Sequence, residues 1–182
     1  AIVNLLSGSG RCGRDWEHIA RMLYAKGIDF DTVFTGRRQH AIELAQRGII
    51  EDGYRNIIAI GGDGTIHEVA NGILTQTEVN PAEVRMGVIA VGTGNDWVRT
   101  VGTPRNYSAA VRAIKEGHTF LQDVGEVSYE ESQYTQTRYM ANVSGAGFDP
   151  SVTKIYEHYK AKGHRGRHLY AQGCVKSFFK YH

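Results

Sequence analysis

Residues 56–72 read Asn56-Ile57-Ile58-Ala59-Ile60-Gly61-Gly62-Asp63-Gly64-Thr65-Ile66-His67-Glu68-Val69-Ala70-Asn71-Gly72, an uncharged β-branched run that breaks at a glycine cluster and resumes with helical spacing. A strand feeding a helix across four residues is the unit of a parallel α/β layer, because a parallel strand needs a crossover to return. Gly61, Gly62 and Gly64 are free to take positive φ, and without Cβ atoms they let backbone amides approach an anion closely. The helix start behind them adds partial positive charge. Asp63 is the odd member of the turn. A carboxylate repels phosphate unless a cation stands between them, so Asp63 implies Mg²⁺, held directly or through water. The plain alternative is a strand–helix turn in which Thr65 and Glu68 form a capping box and Asp63 is an ordinary turn residue.

The same order returns downstream. Met86-Gly87-Val88-Ile89-Ala90-Val91 reads as a strand, Gly92-Thr93-Gly94-Asn95-Asp96 as a turn, and residues 96–101 as a short helix. Two such strand ends converge on one edge of a sheet, and in open α/β sheets that edge is where ligands bind. Here too an ordinary turn, with Asn95 or Asp96 as N-cap, is the alternative. Taken together, two carboxylates beside phosphate-sized backbone curvature point to nucleotide-dependent phosphoryl transfer.

The rest of the chain extends the pattern in both directions. Ala1 to Leu5 reads as a strand. Asp15 to Lys26 is helical, with Trp16, Ile19, Ala20 and Leu23 on one face and Gly27 as its stop. Ile28 to Phe34 alternates as a second strand, His40 to Ile50 is helical, and Ser108 to Glu116 is a helix capped by Ser108 and ended by Gly117. This βαβαβ order with short links predicts an α/β fold, a doubly wound, mostly parallel three-layer domain over residues 1–123. Beyond it the period changes. Val127, Tyr129, Tyr134, Tyr139 and Val143 surround a polar turn at Glu130 to Gln133, which predicts an antiparallel hairpin, the start of a partial second domain of antiparallel β-sandwich type over residues 124–182.

At 182 residues, 41% hydrophobic and 22% charged, the chain is long enough for one good core and part of another domain. The net charge of +2 is unevenly spread: residues 151–182 carry seven Lys or Arg against one Glu, so this segment is +6 and the remainder −4. Lys160, Lys162, Arg165 and Arg167 are candidates for contact with anionic lipid headgroups or phosphates; a solvated helix face is the alternative. Cys12 and Cys174 lie far apart without Cys-x-x-Cys spacing, and the eight histidines lack metal-ligand spacing. A reduced, cytoplasmic setting fits this usage. No apolar run in this sequence approaches the length of a membrane span and no signal peptide is expected, so membrane contact is expected to be peripheral.

A rival motif is Gly8-x-Gly10-x-x-Gly13 after the first strand, with Asp29 and Asp31 about twenty residues on, the pattern of an NAD(P)-binding oxidoreductase. Its ribose-binding acid belongs near the end of the second strand, where this chain has Thr35-Gly36-Arg37-Arg38. A P-loop reading of Gly8 to Asp15 fails because Arg14 replaces its Lys and Asp15 its Mg²⁺-binding hydroxyl. A nucleotide-binding module without catalysis is the third reading.

Gly61 to Gly72 (GGDGTIHEVANG) and Gly92 to Arg99 (GTGNDWVR) together resemble the diacylglycerol kinase catalytic family. Asn4, Ser7 and Gly8 resemble its opening Asn-Pro-x-Ser-Gly, with Leu5 in place of proline. Thr35 stands like its nucleotide-contacting threonine, Asp123-Val124-Gly125 resembles its Asp-x-Gly, and Asn142 to Asp149 resembles the segment after the first hairpin of its second domain. GGDGT alone is shared with NAD kinases; GTGND selects the lipid-kinase branch. The resemblance implies an ATP- and Mg²⁺-dependent lipid kinase moving the γ-phosphate to a lipid hydroxyl such as that of diacylglycerol. Asn4, Ser7, Gly8, Thr35, Gly61, Gly62, Asp63, Gly64, Thr65, Gly92, Thr93, Gly94 and Asn95 are then expected to bind ATP. Asp63, Asp96 and Asp123 are expected to be catalytic and to hold Mg²⁺ through water. The implied partner is a lipid at a membrane surface, not nucleic acid, with a homodimer through an open sheet edge as a further possibility. The family's general base lies in a late Asp-Gly-Glu segment. This chain has no Asp after Asp149 and only Glu157 beyond it, so it is expected to stop within the second domain.

Overall fold

The computed structural model describes residues 1–131, 133–143, 148–161 and 168–180. They form two compact units, Ala1–Asn142 and Val143–His182. In the first, β1 (Ile2–Val3), β2 (Val33–Phe34), β3 (Asn56–Gly61) and β4 (Arg85–Ala90) make an all-parallel sheet in the order β2-β1-β3-β4. Helices α1 (Ser7–Ala25), α2 (His40–Ile50) and α3 (Asp63–Thr75) supply the crossovers, and α4 (Asp96–Thr100) and α5 (Tyr107–Glu116) follow β4.

Strand alternation sends neighbouring residues to opposite faces, and each face meets its own helices. Ile57, Ala59, Val88 and Ala90 pack with Ala41, Ala45 and Ile49 of α2, Ile66, Val69 and Ile73 of α3, and Trp97 and Val98 of α4. Ile58, Ile60, Ile89 and Val91 pack with Cys12, Ile19 and Leu23 of α1 and Ala110 and Val111 of α5. This is the three-layer, doubly wound architecture that the strand–helix alternation predicts.

Local departures have local causes. The alternating stretch Ile28 to Phe34 pairs only at Val33 and Phe34, because β1 offers only Ile2 and Val3 as partners. The helix expected from Asp15 begins earlier, and its first turn is broken by left-handed backbone at Gly8, Ser9 and Gly10. Asn106, not Ser108, caps α5: its side chain accepts from Ala109 N, and Ser108 already lies inside the helix. Gly117 ends that helix in the left-handed conformation, as expected.

After α5 the chain forms an antiparallel hairpin, β5 (Gly125–Glu131) against β6 (Tyr134–Met140), within the first unit. The second unit contains α6 (Phe148–Ala161) and α7 (His168–Lys180). Val152 and Leu169 are buried there, Tyr156 meets Tyr170 edge-on at 6.2 Å, and Gly173 lets α7 approach the carbonyl of Val152. Residues 144–147 of the segment likened to the second domain, and Lys162, Arg165 and Arg167 of the basic tail, lie outside the described residues, as does the side chain of Lys160. No helix among the described residues is long and apolar enough to cross a membrane.

Candidate functional site

At the carboxyl edge of the sheet the two glycine turns meet. An ideal Cβ on Gly62 would stand 3.2 Å from Gly92 Cα, and one on Gly92 2.8 Å from Gly62 Cα, so the turns can touch only because both residues lack a side chain. Val91 N donates to Gly61 O at 2.7 Å and closes the base of the pair. Gly61, Gly62 and Gly64 do not use the positive φ that the sequence allows; Gly62 is extended, with φ −94°. Their contribution is close approach. Positive φ matters instead at Gly8 (+60°), where a Cβ would lie 2.7 Å from the Val91 carbonyl, so the first loop rests directly on the end of β4.

Two residues that follow β1 lock the first turn. Asn4, just past β1, donates from Nδ2 to Thr65 Oγ1 at 3.1 Å, and Ser7 Oγ accepts from Gly62 N at 3.2 Å. Thr65 is 3% exposed, with its hydroxyl turned toward Asn4 and Ser7. The capping box expected of Thr65 and Glu68 is therefore absent. Helix α3 starts at Asp63 behind Gly62, with no side-chain cap, which leaves Thr65 too deep in the helix to reach the first amides. Glu68 serves another helix, accepting from Gln39 N at 3.0 Å and Ala41 N at 3.3 Å at the start of α2.

The second turn is held from within and across. Asn95 is buried, takes a left-handed conformation with φ 55°, and accepts from Gly92 N through Oδ1 at 2.8 Å. It occupies the N-cap position of α4 without capping it. Asp63 supplies the cap from the first turn, its Oδ1 accepting from Trp97 N at 3.0 Å. Its other oxygen faces the second turn: a Cβ on Gly94 would lie 3.1 Å from Asp63 Oδ2 and 3.0 Å from Asp96 Oδ2, so both carboxylates border the same small space. Arg99 pairs with the far oxygen of Asp96 at 3.0 Å. Gly64 and Thr93 are exposed at the turn tips. Thr35 stands half-buried at the carboxyl end of β2, donating from its amide to Val3 O at 2.9 Å.

Asp123 is placed differently. It is exposed ahead of β5, beside Gln122, and no group of three or more Asp, Glu, His or Cys is drawn together among the described residues. Asp63 and Asp96 are the carboxylates that the turns themselves assemble. Arg11, which nothing in its sequence neighbourhood singles out, donates from Nη2 to Gly92 O at 3.0 Å across 81 residues, placing a guanidinium at the second turn. Behind it Cys12 is fully buried, and burial pushes its thiol up to about 11, with Asp15 adding to the shift and Arg11 opposing it. That thiol is protonated at neutral pH and is no nucleophile. Tyr107 donates to Asp15 at 2.7 Å and is pushed up to about 12 by burial first and this bond second.

The rival dinucleotide loop does not come together. Asp29 and Asp31 precede β2 and so lie toward the amino edge of the parallel sheet, away from Gly8 and Gly10; Asp31 is engaged there by Tyr54 and, through its carbonyl, by the amino group of Ala1.

Residues 1–127 match the diacylglycerol kinase catalytic domain. A diacylglycerol kinase of Staphylococcus haemolyticus is 33% identical over 146 residues, 80% of this chain and 40% of that protein. Sphingoid long-chain bases kinase 1 of Arabidopsis thaliana is 32% identical over 165 residues, 88% of this chain and 21% of the plant protein. Among solved structures, a diacylglycerol kinase from Bacillus anthracis str. Sterne superposes with a TM-score of 0.55 at 30% identity, over 70% of this chain and 43% of that one. The chain thus spans about two fifths of the bacterial relatives it matches. With the matched segment running through both glycine turns and the carboxylates between them, the chain belongs to the diacylglycerol kinase catalytic domain family.

Proposed function

We propose that this chain carries the ATP-binding part of a Mg²⁺-dependent lipid kinase that transfers the γ-phosphoryl group to a lipid hydroxyl such as that of diacylglycerol. The observation that carries the reading is the meeting of Gly62 with Gly92 and of Asp63 with Asp96 around Gly94. Glycine faces that a side chain would fill suit a phosphate chain, and an all-oxygen pair of carboxylates suits a hard divalent cation that keeps several waters. In this reading Asn4, Ser7, Gly8, Gly61, Gly62, Gly64, Thr65, Gly92, Gly94 and Asn95 shape the phosphate cradle, with Thr35 and Thr93 at its rim. Asp63 and Asp96 would hold Mg²⁺ through water, and Asp123, which stands apart from this pair, would have to approach from the hairpin side. The bound ion would neutralise phosphate charge. The chain's own part is to align the γ-phosphate and present it toward the hairpin side, where the acceptor hydroxyl enters. Phosphoryl transfer asks for alignment and charge neutralisation more than covalent chemistry, which is the chemistry that glycines and carboxylates offer.

Thermal unfolding with Mg·ATP, NAD and NADP tests the nucleotide. A ligand at 100 times its Kd stabilises by about 2.7 kcal/mol, a rise of roughly 5–10 °C for a chain of this size. A rise with Mg·ATP alone is expected. A rise with a dinucleotide alone would overturn the reading.

Residues 124–182 are read as the lipid-side domain, and the lysines and arginines after residue 150 as its contact with a membrane surface. Sedimentation with vesicles is expected to require anionic lipid and to weaken as salt rises. Equal binding to neutral vesicles would remove the electrostatic part of this reading.

A further inference from the structure

The hairpin is attached to the α/β layers in an unusual way. Val127 and Tyr129 are 40% and 37% exposed, Tyr134 is 72% exposed, and no hydrophobic residue of β5 or β6 belongs to the buried core. Apolar packing therefore contributes little to holding it, and polar groups carry the attachment.

Asn71 is the first of these. It is fully buried on α3, two turns after Asp63. Its Nδ2 donates to Tyr139 O at 2.8 Å and to His67 O at 2.9 Å, and its Oδ1 accepts from Tyr139 N at 2.9 Å. The side-chain amide thus occupies both backbone groups of one β6 residue, as a neighbouring strand would. A slip of β6 by one residue would turn those groups away, so the pair sets register as well as position.

Gln122 is the second. Its Nε2 donates to Ala141 O at 2.7 Å, and its Oε1 accepts from Trp97 Nε1 at 3.1 Å. Trp97 is the residue whose backbone amide Asp63 caps. Two routes therefore run from Asp63 to the end of β6, one along α3 to Asn71 and one through Trp97 and Gln122, and they end two residues apart, at Tyr139 in the strand and Ala141 just after it.

We propose that Asn71 and Gln122 are positioning residues for phosphoryl transfer: their amides clamp β6, and with it the acceptor side, to the two helices that carry Asp63 and Asp96. This rests on the function proposed above. Neither residue is placed at the nucleotide, so the clamp acts on acceptor alignment and leaves nucleotide binding alone.

The test uses Asn71→Asp, which sets a carboxylate against the carbonyls of His67 and Tyr139, and Gln122→Met, a change in an exposed segment that keeps volume and removes both bonds. In the full-length protein each is expected to lower kcat for lipid phosphorylation roughly tenfold or more, as expected when buried polar partners lose their bonds, with KM for ATP and the Mg·ATP thermal shift unchanged. Amide exchange at Tyr139 should accelerate by a similar factor in Asn71→Asp. A parallel loss of ATP affinity and transfer would make the residues merely structural and overturn the proposal, as would unchanged kcat in a folded Gln122→Met protein. Absence of lipid phosphorylation by the unsubstituted protein would instead overturn the kinase reading, with Tyr139 exchange still reporting whether the clamp exists.

Discussion

Asp63→Asn is expected to abolish phosphoryl transfer while leaving the fold in place. The residue does two separable things. Its Oδ1 caps α4 through Trp97 N, a bond that the amide oxygen of asparagine can accept equally well. Its Oδ2 shares the space beside Gly94 with Asp96, where a charged oxygen holds a divalent cation far better than an amide oxygen does. Asp63→Asn should therefore unfold within a degree or two of the parent, yet lose at least about 10²–10³-fold in transfer rate, the scale of removing one preorganised electrostatic contact. ATP binding should weaken when Mg²⁺ is present and stay the same when it is chelated, as titration calorimetry would read. Asp63→Ala removes the cap as well, at a further cost of about 1 kcal/mol in stability. Equal weakening of ATP with and without Mg²⁺ would refute the metal role.

Gly72→Ala is expected to destabilise the fold strongly although it adds a single methyl. Inside an exposed helix this change would help by about 1 kcal/mol, since alanine is the better helix former. Gly72 is not exposed. A Cβ there would lie 2.6 Å from Ala45 Cβ and 2.6 Å from Ile42 O, both on α2, and one of these is backbone and cannot rotate aside. Helices α2 and α3 would have to separate, opening the cluster of Ala41, Ala45, Ile49, Val69 and Ile73. Overpacking of this kind costs about 1–3 kcal/mol or more, enough to reverse the propensity gain. Urea unfolding should show a lower midpoint at unchanged slope. A midpoint equal to or above the parent's would mean that α2 yields more easily than its packing suggests.

Gly72 and Asn71 also illustrate how a motif is parsed. The stretch GGDGTIHEVANG reads as one signature, but its parts answer to different neighbours. Gly62 serves the second turn, Gly61 leaves room for Thr65, and Thr65 serves Asn4. Glu68 caps α2, Asn71 holds β6, and Gly72 admits α2. Only a fraction of the motif lies at the proposed phosphate cradle.

Sequence by itself determined the layer architecture and the two glycine turns, because strand alternation, helical spacing and glycine clusters are local properties that tertiary contacts only have to accept. His40–Ile50 and Asn56–Gly61 come out as helix and strand within a residue of where their periodicity places them. Element ends that depend on a cap or a partner strand came out less well, as at Ser108 and at residues 28–32. Only the tertiary structure decided where the polar side chains turn. Glu68 closes on Gln39 across 29 residues, Asp63 on Trp97 across 34, Asn4 on Thr65 across 61 and Arg11 on Gly92 across 81. A carboxylate or amide has nearly the same local propensity whichever distant amide it finds, so its partner is chosen by which strand ends the sheet brings together.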